Sequence, residues 1–147
     1  MVKVNFKKLD KNAHPPTYGT QFAAGADLYA LTGGETVRFA PGDTKMIRTG
    51  LAVEIPEGYA GLIYARSGIA TKRGLAPANK VGVIDADYRG EIMVCLHNHS
   101  NTAQTIADKE RIAQLVITPF LKVEYTETDE LSETVRGAGG FGSTGKK

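Results

Sequence analysis

Apolar and polar residues alternate with a period of two along most of the chain. Val2, Val4 and Phe6 are separated by Lys3 and Asn5, and Leu51, Val53 and Ile55 by Ala52 and Glu54, before Pro56-Glu57-Gly58 stops the run. That period sends successive side chains to opposite faces of an extended backbone, which marks strands with one face buried. Comparable runs cover Thr36 to Phe39, Lys45 to Thr49, Ala60 to Ala65, Val81 to Ile84, Glu91 to His97, Ile112 to Ile117 and Leu121 to Tyr125. Turn residues such as Ala40-Pro41-Gly42-Asp43 separate them at intervals of about ten residues, the spacing of a sandwich or barrel. Only Ser67 to Arg73 reads as a helix, with Ser67 as its N-cap, Lys72 and Arg73 in the last turn and Gly74 closing it. The pattern predicts an all-β, jelly-roll-like sandwich or barrel with one short helix and no internal repeat.

Composition narrows this only a little. A chain of 147 residues fits one domain that buries roughly two thirds of its unfolded surface. With 41% hydrophobic and 23% charged residues it reads as an ordinary globular protein. A net charge of +2 is too small to draw nucleic acid or a membrane by bulk electrostatics. Cys95 is the single cysteine, which excludes an internal disulfide and fits a reducing compartment. Set among apolar neighbours, it reads as an inert thiol. No apolar run reaches a membrane span of about 18 residues, and no signal-peptide core precedes Leu9. A soluble, cytoplasmic protein is expected.

The candidate chemistry gathers where the alternation breaks. Gly82-Val83-Ile84-Asp85-Ala86-Asp87-Tyr88-Arg89-Gly90 places two carboxylates, a ring and a cation between two apolar runs. A chain reversal needs Gly, Asn or Asp and gains nothing from Tyr, so the segment reads as a site on a hairpin or as a charged surface tip. Ala65-Arg66-Ser67-Gly68 lies at the helix start, where free N–H groups, a cation and a hydroxyl suit an anion; a plain cap beside a surface Arg is the other reading. Asp27 follows Ala24-Gly25-Ala26 and reads as a turn residue or a ligand. Gln114 interrupts an apolar strand and needs a core partner or a bound molecule. His97 and His99 share a strand face but lack an evident third metal ligand.

The C-terminal segment has a different character. Thr126 to Thr134 is acidic and polar, and Val135 to Gly145 carries five glycines around Phe141. Such a stretch cannot fold alone. Domain organisation is therefore expected to be a β core over residues 1–125 and a flexible glycine-rich arm over 126–147. Arg136, Phe141, Ser143 and Thr144 suit a lid that pairs with phosphate and stacks on an aromatic ligand. Gly140 to Lys147 imitates a P-loop, but Lys147 stands where Ser or Thr must hold magnesium and no helix follows.

Taken in order, Ala-Gly-Ala-Asp-Leu (24–28), Ala-Arg-Ser-Gly (65–68), the 82–90 segment, Arg-Ile-Ala-Gln-Leu (111–115) and Arg-Gly-x-Gly-Gly-Phe-Gly-Ser-Thr-Gly (136–145) resemble the five motifs of the trimeric dUTPases. The resemblance implies hydrolysis of dUTP to dUMP and pyrophosphate with Mg²⁺, which keeps uracil out of DNA and supplies dUMP for thymidylate synthesis. It makes Asp85 the carboxylate that activates the attacking water. Asn79, Val83, Ile84, Tyr88 and Met93 would form the pyrimidine and sugar pocket, with Tyr88 against the deoxyribose. Arg66, Ser67, Gly68 and Gln114 would bind phosphates, and Asp27 would reach Mg²⁺ through water while the triphosphate holds the ion. Arg136, Phe141, Gly142, Ser143 and Thr144 would close over the nucleotide, and each site of a homotrimer would draw on three chains. A dCTP deaminase-like relative and a non-catalytic nucleotide-binding jelly roll are the alternatives.

Overall fold

The computed structural model describes residues 2–141. Strands β1 (Asn5–Lys8), β2 (Thr17–Tyr18), β3 (Ala26–Tyr29), β4 (Val37–Phe39), β5 (Thr44–Arg48), β6 (Leu51–Glu54) and β7 (Tyr59–Tyr64) precede helix α1 (Ser67–Arg73). Strands β8 (Leu75–Pro77), β9 (Gly82–Ile84), β10 (Met93–Asn98), β11 (Gln104–Ile106) and β12 (Arg111–Pro119) follow it. They form one sheet in the order β2-β3-β12-β7-β9, a second in the order β5-β10-β8, and the pairs β1-β6 and β4-β11. Every pairing is antiparallel. The inner faces of these sheets close on one core, a jelly-roll-like all-β fold.

The core follows from the alternation. Leu28, Phe39, Leu51, Leu75, Ile92, Leu96, Ile106 and Ile112 are wholly buried, each stabilising the fold by about 1.5–3 kcal/mol relative to exposure. Asn98 is buried among them with its polar atoms satisfied: Nδ2 donates to the carbonyls of Phe39, Ala40 and Thr102, and Oδ1 accepts from the Ser100 amide and hydroxyl. No helix among the described residues is long and apolar enough to cross a membrane.

Three local expectations need correction. Ser67 is already helical: the N-cap is Arg66, in extended conformation and with no side-chain capping bond. The Ser67 hydroxyl is thereby left without a partner among the described residues. Gly74 does close the helix, left-handed at φ 66°, its N–H bonded to the Ala70 carbonyl. Leu121 to Tyr125 forms no strand; regular structure ends at Pro119, and from Phe120 onward the chain is almost wholly exposed. Its alternation finds no partner strand among the described residues, and an unpaired strand is not stable in water. The alternation of Val2 to Phe6 likewise buries little, because β1 is an exposed edge strand paired only to β6.

The turn between β5 and β6 anchors the region around the hairpin. Gly50 has φ 69°, and a Cβ there would meet Leu31 Cδ2 at 2.6 Å and the Ala13 methyl at 2.8 Å. Gly50→Ala is therefore expected to lower stability by at least about 2 kcal/mol through left-handed strain and overpacking. The measurement is the urea midpoint; an unchanged midpoint would show that the turn yields.

Candidate active site

Two polar clusters emerge. The first is the segment joining β9 to β10. A turn forms as the Tyr88 amide donates to the Asp85 carbonyl (3.1 Å), and the Arg89 guanidinium reinforces it on the carbonyls of Ala86 and Tyr88. Tyr88 folds back over Gly90, so closely that a Cβ on Gly90 would lie 2.3 Å from the phenolic oxygen. Its hydroxyl donates to the Glu91 carbonyl at 3.0 Å. The Asp85 carboxylate is exposed and makes no hydrogen bond or ion pair among the described residues. An acid presented without a partner beside a locked ring is free to hold a water.

Two hollows flank this hairpin. One of about 230 Å³ is lined by Met46, Val83, Ile84, Asp85, Tyr88, Glu91 and Met93. Its neighbour of about 150 Å³ adds Asn79, Gly82 and the half-buried Cys95. Asn79, Val83, Ile84, Asp85, Tyr88 and Met93, which the family resemblance groups as one pocket, line these two hollows. Sequence reading missed Met46, supplied from β5 across the sheet, and Glu91, which looked like any surface acid.

The second cluster surrounds Asp27. Strand β12 pairs with β3 on one side and β7 on the other, setting Gln114 opposite both Asp27 and Tyr64. Asp27 Oδ1 accepts from Arg66 Nε at 2.7 Å and Oδ2 from Arg111 Nη1 at 3.3 Å. Arg111 and Gln114 are three residues apart, a spacing that would send them to opposite faces of a regular strand. A bulge between Arg111 and Ala113 absorbs one residue, so both face Asp27 while Ile112 and Ala113 stay buried. Gln114 Nε2 donates to the Ala65 carbonyl (2.8 Å), and its Oε1 would lie 2.5 Å from a Cβ on Gly25. Gly25 therefore admits the amide. Ser67 and Gly68 are exposed beside Arg66, with open space at Gly68.

No group of three His, Cys, Asp or Glu side chains that could hold a metal occurs among the described residues. Asp27 spends two of its lone-pair positions on arginines and keeps others. That donor set suits a hard cation that arrives on phosphates and keeps its waters, not one caged by protein. His97 bonds to the Thr44 hydroxyl (2.8 Å) instead of pairing with His99.

The two clusters stand apart. Ile84 pairs with Gly61 on β7, and Arg66 lies five residues further along, about 17 Å away at the rise of a strand. Within one chain, Asp85 and Arg66 therefore lie toward opposite ends of β7. The described part of the arm makes no hydrogen bond to either: every one that residues 121–141 make among the described residues stays within that segment. Arg136 donates to the Gly139 carbonyl and the Phe141 ring is fully exposed. Gly142, Ser143 and Thr144 lie outside the described residues.

The dUTPase family model matches residues 11–145. The chain belongs to the dUTPase family. A deoxyuridine 5'-triphosphate nucleotidohydrolase of Nautilia profundicola is 53% identical over 99% of this chain and 100% of its own length. The dUTPase of Staphylococcus bacteriophage 80alpha, solved with dUpNHpp, superposes with a TM-score of 0.87 at 33% identity, covering 97% of this chain and 98% of that one. A mutant dUTPase from phage phi11 of S. aureus, described with a structural Mg(II) ion, gives 0.79 at 27% identity over 89% of this chain and 99% of the other.

In this dUTPase, Gly25→Ala should push the Gln114 amide off the Ala65 carbonyl. One displaced hydrogen bond is worth about 1–1.5 kcal/mol, so the nucleotide KM should rise about tenfold; steady-state kinetics checks it, and an unchanged KM would remove Gln114 from the site.

Proposed function

We propose that this chain, a dUTP diphosphatase, cleaves dUTP with Asp85 holding and deprotonating the water that attacks the α-phosphorus. The observation that carries this is the Asp85 carboxylate, unpartnered at the turn of a hairpin and bordering a hollow lined by Tyr88 and Met93. The water oxygen forms a bond to the α-phosphorus as the bond to the bridging oxygen breaks. The proton passes to Asp85, pyrophosphate departs and dUMP remains. Water held in line by one carboxylate supplies about 10²–10⁴ in rate, so alignment and neutralisation of the phosphates carry most of the acceleration. When bound, Mg²⁺ neutralises the triphosphate, with Asp27 reaching its waters. Arg66 is held by Asp27 through Nε, leaving its terminal nitrogens for phosphate. Ser67, Gly68 and Gln114 complete that half.

The base is read by the hairpin backbone and Asn79, with Val83, Ile84 and Met93 around it. Tyr88 faces the sugar, where a 2′-hydroxyl would collide with a ring that Gly90 and Glu91 hold in place. Phe141 stacks on the base, while Arg136, Gly142, Ser143 and Thr144 close over the γ-phosphate. The separation of Asp85 from Arg66 supports a site shared between copies, in keeping with a homotrimer. An open apolar groove of about 450 Å³, lined by residues that include Phe6, Tyr18, Tyr59 and Leu115, and the exposed Leu121, Val123 and Tyr125 also favour association.

A dCTP deaminase would need a free glutamate beside the pyrimidine, the acid usual in that family for moving protons at the amino carbon. Among the described residues Glu91 is the only glutamate lining the hollow, and Arg48 and the Gly50 amide already engage its oxygens. This favours the hydrolase, and release of pyrophosphate and not ammonia from the deoxynucleotides separates the two.

Asp85→Asn should bind dUTP normally and lose about 10²–10⁴ in single-turnover rate; unchanged hydrolysis would reject Asp85. For the shared site, Asp85→Asn subunits co-refolded with Arg66→Ala subunits should recover activity that neither shows alone. No recovery would place the whole site within one chain.

A further inference from the structure

We propose that Glu91 is a positioning residue that sets the preference for a deoxyribose over a ribose by fixing Tyr88; this rests on the reading that Tyr88 faces the sugar. The Glu91 side chain is only 17% exposed. Its Oε1 accepts the Gly50 N–H at 2.7 Å, and both oxygens lie 3.1 Å from Arg48 Nε. Gly50 is itself immobile, pinned by its left-handed backbone and by Leu31 and Ala13. The next residue is fastened to the same turn, with the Ile92 amide on the Leu51 carbonyl (2.7 Å) and the Thr49 hydroxyl on the Ile92 carbonyl (2.6 Å).

On its other side Glu91 offers its carbonyl to the Tyr88 hydroxyl. The ring therefore hangs from a backbone group whose own side chain is tied to the core. Gly90, which has no Cβ to stiffen the leg and must stay bare to admit the ring, lies between them. Without the Glu91 carboxylate, the carbonyl that carries the ring would be held from the core side by the Ile92 bonds alone. The two bonds differ in weight. Arg48 is 55% exposed, and such a pair contributes little. The Gly50 amide is the bond that matters, because an unmatched N–H at a half-buried turn is costly.

The test compares kcat/KM for dUTP and UTP in the wild type, Glu91→Ala, Glu91→Gln, Tyr88→Ala and the double variant Glu91→Ala/Tyr88→Ala, with urea unfolding of each. Glu91→Ala should reduce the dUTP/UTP ratio about tenfold, one hydrogen bond's worth. Glu91→Gln, which still offers an oxygen to Gly50, should restore it to within about threefold. The double variant should match Tyr88→Ala. Should Glu91→Ala fail to fold, Glu91→Asp, one methylene too short to reach Gly50, should lower the ratio in its place. If Glu91→Ala slows both substrates equally while Tyr88→Ala alters the ratio, Glu91 is merely structural and the proposal falls. If Tyr88→Ala itself leaves the ratio unaltered, the reading of Tyr88 fails and the proposal falls with it.

Discussion

The arrangement depends above all on where β12 sits. It is the longest strand, and its two neighbours, β3 and β7, come from distant parts of the chain. One register on each side places residues 25–27, 64–66 and 111–114 in a single patch. A slip of one position would turn Gln114 into the core and Leu115 out of it, so hydrophobic burial holds the polar cluster in register. The apolar face thus aligns the groups proposed to meet phosphate, Arg66 and Gln114 among them. In the same way, the turn at Thr49 to Leu51 governs the hairpin's returning leg from beneath.

Much of this was legible in the residues themselves. Period two gave the strands near Leu51 to Ile55 and Ile112 to Ile117, because one face of each packs on the core. The helix at Ser67 to Arg73 was visible from its basic last turn and Gly74. Its start was placed one residue late, since Ser is a favoured cap only when its backbone stays extended, and here Arg66 is the extended residue. Leu121 to Tyr125 shows the opposite failure: the alternation is present but no strand among the described residues pairs with it.

Long-range pairs were not legible at all. Arg48 and Glu91 are 43 residues apart, and neither carries a local sign that they meet. Arg111 could be quoted within a motif but not given a partner, because its direction depends on an irregularity that no spacing rule reveals. The close approaches at Gly25, Gly50 and Gly90 were likewise hidden among 17 glycines. What distinguishes these three is the side chain that presses on each, and that is known only once the chain is folded.

The bulge at Ile112 has a consequence for how such a chain tolerates change. Losing Ile112 would straighten the ladder, but it would also empty a wholly buried place in the core. The guanidinium at 111 would keep to Asp27's side of the sheet, since Arg111 and Gln114 would then stand two apart in a regular strand. The extra residue in that strand is thus kept by the oil it contributes and not by the charges beside it.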